Sequence, residues 1–179
     1  RALQNSGDTA NSNVAIGHQT MMNNTSGSHN IAIGQEALFS AGTGSSNVAI
    51  GTDALKVSTA SNANIAIGRS ALSGATDGGY NVAIGHQALM TGNANYNTAI
   101  GFASMDSNDV GQGNTAIGYS SLTANINGID NVAVGKNAMS ANTAGSSNVA
   151  VGKEALFSNS TGGFNVAVGD SSLKINTLG

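Results

Sequence analysis

The sequence predicts an all-β protein, a parallel β-solenoid or β-roll in which each coil is one repeat of about 17 residues. A ten-residue phrase, Asn-x-Ala-(Ile/Val)-Gly-x-x-(Ala/Ser/Thr)-(Leu/Met)-x, returns at an almost fixed interval, which indicates a repeat architecture. Its apolar residues alternate with Ala, and Gly follows them each time. The phrase begins at Asn13, Asn30, Asn47, Asn64, Asn81, Asn97, Asn114, Asn131, Asn148 and Asn165. Every interval is 17 residues except the interval of 16 from Asn81 to Asn97.

The first element of each coil is predicted to be a short strand, as in the segment 47–51. Val48 and Ile50 point to one side and Ala49 to the other, because side chains alternate along a strand. The β-branched residues favour a strand over a helix. Gly51 is expected to end the strand, since Gly adopts positive φ without steric cost. The same Gly recurs at Gly17, Gly34, Gly51, Gly68, Gly85, Gly101, Gly118, Gly135, Gly152 and Gly169.

The second element is predicted to be another short strand, residues 52–56, with Leu55 as its apolar anchor and a polar turn after it. Successive coils would pair at about 4.8 Å, so ten coils form a rod of roughly 48 Å. Equivalent residues then stack in columns along the rod. The Asn residues form one such column, whose side-chain amides are expected to hydrogen-bond from coil to coil.

The residue between the two branched residues is Ala in all ten phrases, which solvent exposure would not require. The ten residues are Ala15, Ala32, Ala49, Ala66, Ala83, Ala99, Ala116, Ala133, Ala150 and Ala167. Either a thin coil interior needs small residues there, or another chain packs against them. We favour the second alternative, with Val, Ile, Leu and Met filling the coil. A narrow coil buries little apolar area, so association in a closed ring is expected, here a homotrimer with the Ala residues at its interface.

Two stretches of the repeat carry a family resemblance. The string Asn-Val-Ala-Ile-Gly, which begins at Asn13, Asn47 and Asn81, resembles the head repeat of YadA-type trimeric autotransporter adhesins, a left-handed parallel β-roll. The string Asn-Thr-Ala-Ile-Gly-Tyr-Ser-Ser-Leu, residues 114–122, is similar to repeats of phage tail-fibre proteins. The resemblance covers essentially the whole chain. The repeat is longer than that of the adhesin heads and adds an (Ala/Ser/Thr)-(Leu/Met) pair, which favours the tail-fibre type.

The resemblance implies a structural and adhesive segment of a trimeric fibre outside the cell, on a virion tail or a bacterial surface. Its partners would be two further copies of the chain and a glycan or protein on the host cell surface. We interpret residues 1–179 as a single repeat domain, ten coils plus a partial coil that contains Arg1, Ala2 and Leu3. This partial coil suggests an excerpt of a longer fibre. A monomeric solenoid that binds ice or another regular surface is the remaining alternative, although the chain lacks a Thr-x-Thr row.

Composition excludes several other classes. Only 8% of residues are charged and the net charge is −3, without the basic stripe that nucleic-acid binding requires. The regular apolar positions argue against disorder despite 25 Gly residues. No apolar run approaches the roughly 20 residues of a membrane-spanning helix, so no membrane insertion is expected in this segment. The absence of Cys rules out disulfides and thiolate metal sites.

The residues that carry chemistry predict neither an enzyme nor a cofactor. Residues 111–116 match G-x-G-x-x-A, but they do not follow a strand and open a helix, as dinucleotide binding requires. His18 and His86 share a repeat position but lie four coils apart, about 19 Å, which is too far for one metal ion. Asp106 and Asp109 fit a surface loop better than a calcium cage. No Ser has the His partner of a catalytic triad.

The positions that vary between coils are the places where a ligand would bind. One varied position follows each Gly, and another precedes each Asn. Their aromatic residues are the candidate ligand contacts: Tyr80, Tyr96, Phe102, Tyr119 and Phe164. Exposed rings of this kind stack on sugars or contact proteins. The alternative is that they pack between neighbouring chains.

Overall fold

In each coil the predicted first strand forms as three residues between the Asn and the Gly. The structure, a computed structural model, describes residues 10–176 and is an all-β parallel solenoid, which confirms the predicted fold class at this level. The strands are β1 Val14–Ile16, β2 Ile31–Ile33, β3 Val48–Ile50, β4 Ile65–Ile67, β5 Val82–Ile84, β6 Thr98–Ile100, β7 Thr115–Ile117, β8 Val132–Val134, β9 Val149–Val151 and β10 Val166–Val168. Coils are numbered here from the Asn that begins each of them. The predicted partial coil at residues 1–3 lies outside the described residues.

The ten strands form one parallel sheet in chain order, with equivalent residues side by side. Ala15 pairs with Ala32, and this Ala-to-Ala register continues through every coil. The 16-residue coil keeps the register, since Val82 still pairs with Thr98. Its missing residue falls in the turn. The side-chain amide of Asn81 donates to the carbonyl of Ala94, 13 residues further along the chain, whereas the equivalent Asn30 donates to the carbonyl of Gly44, 14 residues further along.

The interior of the coil is narrow, and this corrects the predicted position of the Ala residues. From Ala32 to Ala167 each Ala of the phrase is buried inside a single chain, and Ala15 is partly buried against the same core. They pack against a second buried column, Met21, Leu38, Leu55, Leu72, Leu89, Met105, Leu122, Met139 and Leu156. The Val and Ile residues point outward instead. The prediction that the Ala residues meet a second chain is therefore wrong, because a fully buried methyl group cannot reach a neighbour.

The second half of each coil is a series of turns, and the predicted second strand is absent from residues 52–56. Asp53 and Leu55 have φ of 58° and 49°, and the equivalent residues of the other coils are also left-handed. Left-handed non-Gly residues cost about 1–2 kcal/mol each, so the surrounding structure must hold them. The burial of Leu55 and a 2.9 Å hydrogen bond from its backbone N–H to the carbonyl of Ala71 in the next coil do so. Alternating left-handed residues bend the chain back, which is why the interior is thin.

The Asn residues that begin the coils form a buried amide ladder. The Oδ1 atom of Asn30 accepts a 2.8 Å hydrogen bond from the backbone N–H of Asn47. The Nδ2 atom of Asn47 donates to Asn30 Oδ1 at 3.1 Å and to the carbonyl of Ser61 at 2.9 Å. Each side chain thus joins two coils and also closes its own turn. Because these amides are buried, their bonds replace those that water would make.

A second amide ladder lies eleven residues further along each coil and did not form part of the prediction. Its uninterrupted part consists of the buried residues Asn108, Asn125, Asn142 and Asn159, and the half-buried Asn176 continues it. From Asn125 to Asn159 each Nδ2 donates to the Oδ1 of the preceding member and to a Gly carbonyl in its own turn, as Asn142 does at 2.9 Å and 3.0 Å. The sequence contained the evidence for this ladder, because Asn occupies the same position in consecutive repeats. In coils 2 to 5 Ala, Ser or Gly stands at this position.

Candidate functional site

The outward side of the sheet is an apolar face. It consists of two columns, the residue before and the residue after each Ala of the phrase. Eighteen of these twenty residues are Val or Ile, and the other two are Thr98 and Thr115. Ile16 is 57% exposed and Ile117 38% exposed, although β-branched apolar residues are usually buried. Their straight alignment follows from the strand register, so the face is continuous along the sheet.

Two columns of varied residues border this face. The pre-Asn column consists of the residue before each Asn: Ser12, His29, Ser46, Ala63, Tyr80, Tyr96, Gly113, Asp130, Ser147 and Phe164. The post-Gly column consists of the residue after each Gly: His18, Gln35, Thr52, Arg69, His86, Phe102, Tyr119, Lys136, Lys153 and Asp170. All five predicted contact residues lie in these columns and are exposed. The structure separates them into two stacks and one distant ring.

The stack in the post-Gly column spans four coils. His86 meets Phe102 edge to face, with ring centroids 5.3 Å apart. Phe102 and Tyr119 are parallel within 8° at 5.3 Å, and Lys136 Nζ lies 5.7 Å from the Tyr119 ring centroid. These are the geometries in which aromatic pairs and cation–π pairs attract. Both faces of Tyr119 are therefore occupied by neighbours in its own column.

The stack in the pre-Asn column is shorter, and its end at Tyr96 is free. Tyr80 and Tyr96 lie 5.4 Å apart and are parallel within 17°. The next residue of the column is Gly113, which has no side chain to cover the second face of Tyr96. Phe164 belongs to the same column, three coils beyond Gly113, and is 87% exposed. The predicted contact residues therefore do not converge on one site.

Two surface clefts among the described residues are candidates for a ligand. One, of about 480 Å³, is lined by Tyr96, Gln112, Gly113, Ile129 and Asp130. The other, of about 340 Å³, lies between coils 3 and 5 and includes Asp53, Lys56 and Met90. In this second cleft the only charged groups are already paired, because Lys56 Nζ lies 3.0 Å from Asp53. The first cleft combines an aromatic ring with unpaired polar groups and is the stronger candidate for a ligand.

Two ion pairs join neighbouring coils. Lys56 Nζ lies 2.6 Å from Glu36 of the preceding coil, and Lys174 is equally close to Glu154. The hydrogen bond from Lys56 lowers the pKa of Glu36, and that from Lys174 lowers the pKa of Glu154. Such exposed pairs contribute little to stability. Over residues 10–176 no three His, Asp or Glu side chains lie close enough together to hold a metal ion.

Asp106 is an acid whose burial opposes its charge. Its Oδ1 atom is buried and makes no hydrogen bond within the described part of the chain. Desolvation raises the pKa of Asp106 above the ordinary value of 3.8. A raised pKa means that the carboxylate opposes folding at pH above its folded-state pKa. This destabilisation disappears as the pH falls below the ordinary pKa of an Asp side chain, because the carboxyl group is then neutral in both the folded and the unfolded state.

We therefore expect Asp106→Asn to raise the melting temperature at pH 7 and to leave it unchanged at pH 3. The amide removes the buried charge, whereas at pH 3 the acid is already neutral in both states. Thermal unfolding followed by circular dichroism at the two pH values measures the effect. The exposed Asp130→Asn is the control and should change neither value. Equal gains at both pH values would contradict the desolvation account.

Comparisons with known protein families, with curated proteins and with solved structures gave no match. In the described part of the chain there is also no helix of the length and apolarity that a membrane span needs. The function is therefore inferred from the geometry of this chain and from the sequence resemblance alone.

Proposed function

We propose that the chain is a structural and adhesive segment of a homotrimeric surface-attachment fibre of the phage tail-fibre type. The head of a bacterial trimeric autotransporter adhesin is the alternative. The observation that carries the proposal is the apolar face, which runs the length of the sheet and whose Val and Ile residues are exposed or half-buried, but none fully buried, in a single chain. A contiguous apolar patch of this kind marks an association surface.

The interface of the proposed trimer is this Val and Ile face, and the Ala residues support it from inside the coil. Ten coils at about 4.8 Å give a strip of roughly 48 Å, too long and too apolar to remain in water. Its two columns are straight, because equivalent residues pair in every coil. Parallel chains can therefore align their strips along a common axis. Three strips around one axis close the assembly without leaving an apolar surface, as cyclic symmetry requires.

The variable residues of the two border columns are the proposed contacts with the host. The invariant Asn, Ala and Gly positions build the frame, and they leave no room for variation. All three Tyr and all three His residues lie in these two columns at the edges of the apolar face, together with two of the four Phe and two of the four Lys residues. Such residues suit a glycan or protein of a cell surface. The same regular face also favours a second candidate, a monomeric solenoid that binds ice or a mineral.

The interface is tested by Ile117→Glu, which we expect to dissociate the trimer into monomers. Ile117 lies in a central coil and is 38% exposed, so a single chain tolerates the substitution. Three carboxylates placed around one axis would repel each other in a water-poor interface. Light scattering coupled to size exclusion measures the mass of the assembly, and circular dichroism verifies that the coils still form.

Asn127→Glu is the matched control, because it adds the same charge to the exposed turn of the same coil, away from the face. It should leave the mass unchanged. Equal masses for the two variants would exclude the apolar face as the interface. A wild-type chain that is already monomeric would favour the ice-binding candidate, which a thermal-hysteresis assay then tests.

A further inference from the structure

The pre-Asn column is interrupted at a single place. Nine of its ten residues carry a side chain, and the tenth is Gly113. Tyr96 precedes it in the column and Asp130 follows it. The interruption is therefore one coil high, about 4.8 Å at strand spacing. It forms the floor of the cleft of about 480 Å³ that Tyr96, Gln112, Gly113, Ile129 and Asp130 line.

The backbone does not explain the Gly at this position. Gly113 has φ of 68°, but Tyr96 and Asp130 adopt 62° and 56° at the same position of their coils. Ala63 does so at 56°. Residues with a side chain are thus accepted throughout the column. What Gly113 changes is the space above it, which a side chain would fill and into which the flexible carboxylate of Asp130 now leans.

Tyr96 presents a free ring face to this space. One face of its ring stacks on Tyr80, so the ring planes are stacked along the rod. The opposite face is directed towards the level of Gly113, and the residue is 62% exposed. A flat ring lying over Gly113 would be about one coil spacing from Tyr96, which is the distance at which rings stack. Tyr119 has no such free face, because Phe102 and Lys136 cover it from both sides.

Polar groups face the same space from the other side. A Cβ atom built on Gly113 would clash with Asp130 Oδ1, so the carboxylate reaches to the floor of the cleft. Gln112 supplies a carboxamide that can both donate and accept. Both side chains are exposed, and neither hydrogen-bonds to another side chain in the described part of the chain. Gln112 and Ile129 precede the column in the chain, which places the cleft on the side away from the apolar face.

We propose that this cleft binds a neutral pyranose ring, stacked on the free face of Tyr96 and hydrogen-bonded by Asp130 and Gln112. A pyranose has an apolar C–H face for the aromatic ring and hydroxyl groups at its edge that donate to a carboxylate. Asp130 and the net charge of −3 disfavour anionic sugars. The inference rests on the proposed attachment function, for which it names the receptor group. The site is complete within one chain.

The test is a titration of the ¹⁵N-labelled 179-residue chain, followed by amide NMR shifts. The probes are methyl β-D-glucopyranoside, methyl β-D-galactopyranoside, methyl α-D-mannopyranoside and N-acetyl-D-glucosamine, with N-acetylneuraminic acid and adenosine for comparison. At least one neutral sugar is expected to shift the Gly113 and Asp130 amides saturably. A dissociation constant in the millimolar range suits a single stacked ring. The acid and adenosine are expected to bind more weakly.

Two variants remove the site and one matched variant keeps it. Tyr96→Ser should weaken binding about tenfold or more, since the stacking face is lost. Gly113→Ser should abolish it by filling the space. Ser46 and Ser147 already stand at this position in other coils, so both variants retain the backbone. Phe164→Ser removes another exposed ring of the same column and should leave binding unchanged.

The proposal is overturned if no neutral sugar shifts the Gly113 amide, if Tyr96→Ser binds as well as the wild type, or if adenosine binds more tightly than every sugar. The mass of the assembly is a separate measurement. A monomer that binds sugar would contradict the trimer alone, and a trimer that binds none would contradict the sugar site alone.

Discussion

Gly101→Ala is expected to lower the free energy of unfolding by about 2–6 kcal/mol, the sum of backbone strain and overpacking of about 1–3 kcal/mol each. Gly101 has φ of 134°, a conformation that residues with a side chain rarely adopt. A Cβ atom there would lie 2.7 Å from the carbonyl carbon of Gly118 in the next coil and would also clash with its oxygen. Backbone atoms cannot move aside as a flexible side chain can. Urea unfolding at fixed protein concentration measures the loss.

Gly74→Ala is the control for the first prediction. Gly74 also lies in an inner coil, but it is exposed and has no positive φ, and the nearest atom to an added Cβ is Met90 O at 3.0 Å. Its effect should stay within about 1 kcal/mol, since Gly-to-Ala changes at compatible sites are small and often stabilising. Equal losses from Gly101 and Gly74 would show that the close stacking of the Gly column is unimportant.

Asn64→Ala is expected to cost about 2–6 kcal/mol, because it leaves two buried backbone groups without a partner at about 1–3 kcal/mol each. Asn64 Oδ1 accepts from the N–H of Asn81 at 2.9 Å, and its Nδ2 donates to the carbonyl of Gly78 at 2.9 Å. In this coil the second amide ladder is interrupted by Ala75, so Asn64 is the amide that reaches Gly78. Urea unfolding again provides the measurement.

Asn131→Ala is the informative comparison with Asn64→Ala. The carbonyl of Gly145, which Asn131 also reaches, keeps a 3.0 Å hydrogen bond from Asn142 of the second ladder. The loss for Asn131 should therefore be smaller than that for Asn64 by about 1 kcal/mol or more. Asn127→Ala, in an exposed turn, should have little effect. If Asn131→Ala and Asn64→Ala lower the free energy of unfolding equally, the hydrogen bonds of the second ladder do not compensate for the loss of an amide from the first.

The repeat predicted the strand of each coil correctly, because alternation and the terminal Gly are local signals. It did not predict which side of the strand is inside. Alternation shows that Val48 and Ile50 share one side and Ala49 takes the other, but the diameter of the coil decides which side fits within. That diameter depends on the left-handed residues at Asp53 and Leu55. Leu rarely adopts a left-handed conformation, so the sequence of residues 52–56 predicted a strand where the structure has turns.

The candidate contact residues could be predicted in part. Their columns follow directly from the period, and all five rings are exposed as expected. The cleft was missed because it depends on a side chain that is absent. In the sequence, Gly113 belongs to a pattern similar to a dinucleotide-binding motif. In the structure, its lack of a side chain leaves the gap between Tyr96 and Asp130. The second amide ladder, by contrast, could have been predicted from the sequence, because Asn108 and Asn125 occupy the same position of consecutive repeats.

The most direct test of the fibre proposal is the solution mass of the unmodified 179-residue chain, measured by light scattering during size exclusion. The proposed trimer predicts about 53 kDa, three times the chain mass of 17.6 kDa. This result would assign the exposed Val and Ile face to the contact between chains. A mass near 17.6 kDa at every accessible concentration would contradict the trimer and leave a monomeric solenoid with an apolar face.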